Sequence, residues 1–308
     1  MKNILRNINS DNVDLGFIIR VGHNIKLEIE EKLDNLYSGF NENLVEVELG
    51  ISNILLKIYN ELEKSSYSKY MKRKTINNCR AIRTGYCIDK IKYYLGKTNL
   101  MCFYEKINNL INDRDLYISR RSSYIVEFFN YFFPMGSSYI NFDNWVSDKL
   151  KRDINNIVKY IPNKWWDYIN NGGLRVDTCY GDRSYYEKPD KYERFNDIIY
   201  LDNKYNNQDI LHEIGHMLDY RIPILRLLCD KYFNKRIYGC PLEFYSKYNK
   251  ELCFKYSGFC HLYMGKFYES GDNEILSYCL DNLYLDSFDM WSKDPQSIDF
   301  ILGLMFLF

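Results

Sequence analysis

The sequence predicts an α+β chain: a mainly helical N-terminal region, then a small mixed sheet around one helix that carries two histidines. Three observations predict it. Apolar residues recur at intervals of three and four through the first ~120 residues. Beyond them, short aromatic and β-branched runs are closed by Pro and Gly. And the stretch "ILHEIGHMLDY", Ile210–Tyr220, sets two of the chain's four histidines four residues apart.

Taken in order, "IKLEIEEKLDNLY" and "LVEVELGISNILLKIYNELEK" are amphipathic helices, and "CIDKIKYYLG" and "MCFYEKINNLIN" continue the pattern. The polar stretch Asn112–Ser123 is the expected boundary, giving a helical domain over 1–123 and a second domain over 124–308. "YIVEFFNYFFPMG" reads as a strand and turn closed by Pro134 and Gly136. "FDNWVSDKLKRDINNIVKYI" reads as a helix capped by Asp143 or Asn144. "GLRVDTCY" and "NDIIYLD" read as short strands, the second an edge on which an extended chain can lie. Asn207 as cap and Pro223 as stop bound a helix from Gln208 to Arg221. Another helix is expected over Asp272–Leu285, capped within "SGDN", and "FILGLMFLF" reads as a buried terminal helix.

Composition narrows the function classes. With 46% hydrophobic and 27% charged residues the chain is of a globular type, and no stretch reaches the ~18 apolar residues of a membrane span. The start shows no secretory signal, which points to a cytoplasmic protein or one delivered by a signal-less export route. None of the nine cysteines forms a CxxC pair, and Cys253, Cys260 and His261 have no zinc-ribbon spacing. Net charge is zero, but residues 64–121 carry 14 Lys/Arg against 4 Asp/Glu. A solvated basic face accounts for this more simply than a nucleic-acid module, for which the chain has no recognised motif.

The chemistry lies in His212, Glu213 and His216. On a helix, positions i and i+4 share a face, so both imidazoles can meet one ion. Glu213 sits about 100° round, beside the ion, where it can take a proton from a water activated there. Gly215 between the histidines allows another backbone to approach, and Asp219 can hold a ligand imidazole by its other nitrogen. A catalytic zinc site needs a third protein ligand and an open position. Glu274, Glu269, His261 and Asp281 are the candidates. Glu274 suits the role best, at the start of a helix that can pack on the first.

These residues resemble a known family, the catalytic domain of anthrax lethal factor and its relatives, the Pro-Pro endopeptidases. Its members are gluzincins, with HExxH on one helix and a zinc-binding Glu on the next. "HEIGHMLD" is similar to their HExGHxxD, "NEILSYCLDNLYLD" to their second helix and "DPQSIDFIL" to their closing segment. The likeness covers roughly Tyr124–Phe308. It implies a zinc-dependent endopeptidase of protein or peptide substrates, of the toxin or effector kind, with one Zn²⁺ held by His212, His216 and Glu274. It also implies Glu213 as general base, and a tyrosine that donates to the oxyanion: Tyr268, one residue out of register, or Tyr278. The chain departs from the pattern in three places. Tyr278 stands where the family has a second Glu, Ile275 and Leu276 replace bulky aromatics, and the stretch between the two helices is longer. These departures motivate a second reading, a catalytically inactive zinc-stabilised binding protein on the same fold.

Overall fold

The computed structural model describes residues 14–80, 88–136, 142, 146–168, 174–179, 183–189, 197–202, 204–246, 249–285 and 289–308. Helices dominate, with two small sheets, so the α+β class holds. The expected cap residues Asp143 and Asn144 lie outside the described residues.

The chain divides into two compact units. The division at Arg121/Ser122 lies two residues from the expected boundary, but the N-terminal stretch to Ile29 joins the second unit instead of the first. One unit takes in Met1–Ile29, Ser122–Leu285 and Asp289–Phe308; the other is essentially Glu30–Arg121. Asn112–Ser123 is not a linker. It lies inside a 29-residue helix, in which Arg114 and, two turns on, Arg121 and Ser122 are themselves buried.

The smaller unit is helical. It holds the later part of α1 (Leu15–Leu36), then α2 (Phe40–Lys64), α3 (Lys69–Arg80), α4 (Ile88–Lys97) and the first part of α5 (Tyr104–Phe132). Val47, Ile51, Ile54, Ile58 and Leu62 form the buried stripe of α2 and meet Ile91, Leu95 and Ile107.

In the larger unit the end of α5 replaces the expected strand. Ile125, Phe128 and Phe129 are buried at i, i+3 and i+4, so burial follows the helical period and overrides the β preference of the aromatic run. Next come α6 (Asp148–Val158), capped by Ser147, whose hydroxyl accepts from the Leu150 N–H, and the short α7 (Asn163–Trp166). Three strands follow: β1 (Leu174–Cys179), β2 (Tyr185–Glu187) and β3 (Asp197–Asp202). The order is β1-β3-β2, with β3 parallel to β1 and antiparallel to β2. The segment expected as an edge is thus the middle strand. The edges are β1 and β2, the second only three residues long and too short to announce itself in the sequence.

β3 leads into α8 (Asn207–Arg221) and α9 (Pro223–Ile237). The long stretch after them folds as a hairpin, β4 (Leu242–Ser246) and β5 (Asn249–Phe254), and a short 3₁₀ turn at Leu262–Gly265. The chain then returns along β5, Phe267 N–H donating to Leu252 O at 2.9 Å. α10 (Ile275–Leu285), α11 (Asp289–Lys293) and α12 (Pro295–Leu307) complete the unit. α12 is buried from Ser297 to Leu307, as a mostly apolar helix must be. α1 crosses it at backbone contact. A Cβ on Gly22 would lie 1.6 Å from Asp299 O, and one on Gly303 would lie 2.2 Å from Ile18 O. Beside this crossing His23 Nδ1 and Asp299 Oδ2 are 3.2 Å apart. The first turns of α1 therefore belong to the same core as the two-histidine helix.

Among the described residues no helix is long and apolar enough to cross a membrane, and no disulfide links the described cysteines.

Candidate metal centre

The site is built on α8. Asn206 caps it, one residue earlier than the sequence suggests, in a reciprocal box with Asp209: the Asn206 side chain accepts from Gln208 N and Asp209 N, and Asp209 accepts from Asn206 N. Ile210, Leu211, Ile214, Met217 and Leu218 are buried, which fixes the rotation of the helix. His212 and His216 then share a face, their ring centroids 4.8 Å apart.

Gly215 decides how close α10 can come. A Cβ there would sit 2.4 Å from Ser277 Cα, so the two helices cross without room for a methyl group. That approach delivers Glu274. The residue precedes α10, and its carbonyl accepts the first helical hydrogen bond, from Tyr278 N at 3.0 Å. Its Oε2 lies 3.3 Å from His212 Nε2 and 3.0 Å from His216 Nε2. The Ser277 hydroxyl donates towards the same oxygen at 3.2 Å.

Among the described residues, His212, His216 and Glu274 form a group that can hold a metal ion, their ligand atoms all within 4.8 Å of one another. The two separations from Glu274 Oε2 suit a tetrahedral ion: bonds of ~2.0–2.1 Å set ligand atoms ~3.3 Å apart. The outer nitrogen of His212 is also held, Nδ1 lying 2.9 Å from Asp281 Oδ2. A proton on Nδ1 shared with Asp281 leaves the Nε2 lone pair for the group's centre. Asp281, weighed above as a ligand, is therefore the partner behind one. It is held in turn by the Asn282 amide.

The electrostatics favour a cation. Burial alone pushes the Glu274 carboxyl up, but the hydrogen bonds and charges of both histidines outweigh it and hold the group well below the usual carboxylate range. Burial opposes charge on His212, yet Asp281 and Glu274 lift it to about 10. The same field acts on any positive ion placed there.

Glu213 stands outside this group. It is 4% exposed, and burial raises its carboxyl pKa against the pull of His212, His216 and Arg183. It lines a cleft of about 200 Å³ together with His216, Tyr268, Glu274 and, from the edge strand, Tyr185 and Tyr186.

Of the two candidate oxyanion donors, Tyr268 is the one brought to the group, its hydroxyl donating to Glu274 Oε1. Burial, then Glu274 and Tyr263, raise its pKa, so it stays a protonated donor. Tyr278 packs through its ring, 5.2 Å from His261, 6.3 Å from Tyr263 and 6.5 Å from the His212 imidazole. His261 is exposed and caps the 3₁₀ turn, its Nδ1 accepting from Tyr263 N. Glu269 is exposed as well, and neither joins the metal group. Asp219 does not hold a ligand imidazole. It is buried at the cleft, and the tether to His212 comes from Asp281 on the facing helix.

Two residues at the site carried no signal in the sequence. Arg183, ahead of β2, donates to the Tyr263 hydroxyl at 2.5 Å, and its charge acts on Glu213, Glu274 and Tyr268. Tyr263 in turn bonds Tyr268. Only the fold brings these three segments together.

Comparison with known proteins found no matching family model, no similar curated protein and no similar solved structure.

Proposed function

We propose that the chain is a zinc-dependent endopeptidase. The observation that carries this reading is the place of Glu213. It is a buried carboxyl with a raised pKa, next to the metal group yet not part of it, and it faces an open cleft. A site that only braced the fold would have no use for a base there.

His212, His216 and Glu274 would hold one zinc. When bound, zinc acts as a Lewis acid, lowering the pKa of a water towards ~7 and polarising a carbonyl. Glu213 accepts the proton of the attacking water and returns it to the leaving amine. Its raised pKa brings it nearer the working pH, where a base of this kind is most effective. Tyr268 turns its hydroxyl from Glu274 to the developing oxyanion, a donor contribution of the kind worth ~2.7–4 kcal/mol where it has been measured. The strand β2 lies at an edge of the described sheet, and an extended substrate can lie along it. The likeness of "HEIGHMLD" to the lethal factor family supports the same chemistry and a toxin or effector role.

The test is Glu213→Gln. Zinc content and thermal stability are expected to stay near wild type while peptide cleavage falls ~10²–10⁴-fold. A chelator should abolish wild-type cleavage, and added zinc should restore it. A wild type that binds zinc fully and cleaves nothing across a broad peptide library would instead be the inactive zinc-stabilised binding protein.

A further inference from the structure

We propose that Asp219 is the anchor of a substrate subsite for a basic side chain, lysine or arginine; this rests on the endopeptidase reading above. Asp219 is 7% exposed, and its Oδ1 has no hydrogen-bond partner among the described residues. Native structures rarely leave a buried carboxylate oxygen in that state, because desolvation goes uncompensated. The residue lines the same cleft as Glu213 and His216, so a ligand there can supply the missing donor.

The neighbours show which donor fits. Asp219, Asp230 and Asp272 are grouped with Arg226 and Lys188. Both cations bond to one carboxylate, Asp272, and Arg226 also acts on Asp219 through its charge. Arg226 Nη2 and Lys188 Nζ lie 3.0 Å and 2.9 Å from Asp272 Oδ1. Asp230 has its own donor, the Asn273 amide at 2.7 Å. Three carboxylates thus face two cations, and Asp219, on which Arg226 acts through its charge, is the one whose Oδ1 receives no hydrogen bond among the described residues. A neutral donor would satisfy the oxygen; a cation satisfies the oxygen and the charge. Burial lifts Asp219 to about 6, so the carboxylate is still charged at neutral pH.

The approach to it is aromatic. Tyr186 and Tyr220 line the cleft with ring centroids 6.2 Å apart, and Lys188 already lays its ammonium 5.4 Å from the Tyr220 ring. Such walls take the aliphatic stem of a long basic side chain while its head reaches a carboxylate.

The experiment uses the zinc-loaded full chain and tripeptide hydroxamates in which lysine replaces norleucine at each of the three positions in turn. At one position, wild type should bind the lysine compound at least ~10-fold more tightly than the norleucine compound, as expected for a charged hydrogen bond gained. In Asp219→Asn that ratio should fall to about 1, with norleucine affinity unchanged. Equal wild-type affinities at all three positions overturn the subsite, and this comparison decides the matter even if the variant fails to fold. A lysine preference without any peptide cleavage supports the subsite while the endopeptidase reading fails. A chain that takes up no zinc and binds no hydroxamate overturns both.

Discussion

Asp281 shows what one residue can do at a distance of 69 positions. Its carboxylate sits 2.9 Å from His212 Nδ1, fixing the ring's tautomer and aim. Asp281→Asn keeps the shape but removes the charge. Zinc affinity should drop by ~10–100-fold, as for other partners behind metal ligands, with the protein still folded. Competition with a chromophoric chelator measures it, and an unchanged affinity would show that Asp281 does not act on the metal. At this scale the sequence was readable where the chemistry is local. His212, Glu213 and His216 fall on one helical turn and state their geometry by spacing alone. Glu274 was readable as the start of the next apolar helix. Asp281, Arg183 and Tyr263 were not readable in these roles. Each reaches its partner through tertiary folding, and an aspartate, an arginine or a tyrosine has too many ordinary uses to be singled out in a sequence.

Among the elements, the α8–α10 crossing sets the site. Gly215→Ala must push Ser277 and its helix away, at the ~1–3 kcal/mol that overpacking costs, and Glu274 moves with α10. A lowered thermal midpoint together with weakened zinc binding is expected. Gly96→Ala is the contrast. It lies in α4 with nothing within 4 Å of a new Cβ, so removing glycine's excess backbone entropy should stabilise by ~0.5–1 kcal/mol. Thermal unfolding of the two variants reads both signs at once, and a stable Gly215→Ala would mean that the crossing is looser than described. Long helices with a clean apolar stripe, such as α2, were legible, and so were the β-branched runs of β1 and β3. The end of α5 was misread as a strand because its aromatics favour β structure in isolation. The spacing of Ile125, Phe128 and Phe129, which decides the matter, has meaning only once a partner surface exists. β2 has only three residues, and β4 and β5 lack the β-branched run that made β1 and β3 stand out.

At the scale of the whole molecule, the sequence placed the domain boundary at a change of texture. The fold places it inside two helices. Chain connectivity and packing diverge here: α1 comes first in sequence, yet its Ile18, Ile25 and Ile29 are buried in the unit that carries the metal group. Burying each such side chain stabilises by ~1.5–3 kcal/mol, and a domain's whole margin is ~5–15 kcal/mol. A chain beginning at Tyr124 loses all three and uncovers α12. It should unfold without a sharp transition, or well below the full chain, by calorimetry. A cooperative transition at the full-length temperature would show instead that α1 is dispensable, as the texture of the sequence suggests.

Glu274 and Asp281 approach the two nitrogens of His212 from one end and the other of a single helical segment. They cannot let go separately. If the segment frays or lifts, the imidazole loses its clasp and its tether in the same event, and an ion in the group loses a ligand. Ion occupancy and the closed state of the helix pair are then linked by mass action, each raising the population of the other. A chelator would behave towards this protein as a mild denaturant aimed at one place, loosening α10 from α8 and leaving the helical unit of Glu30–Arg121 untouched.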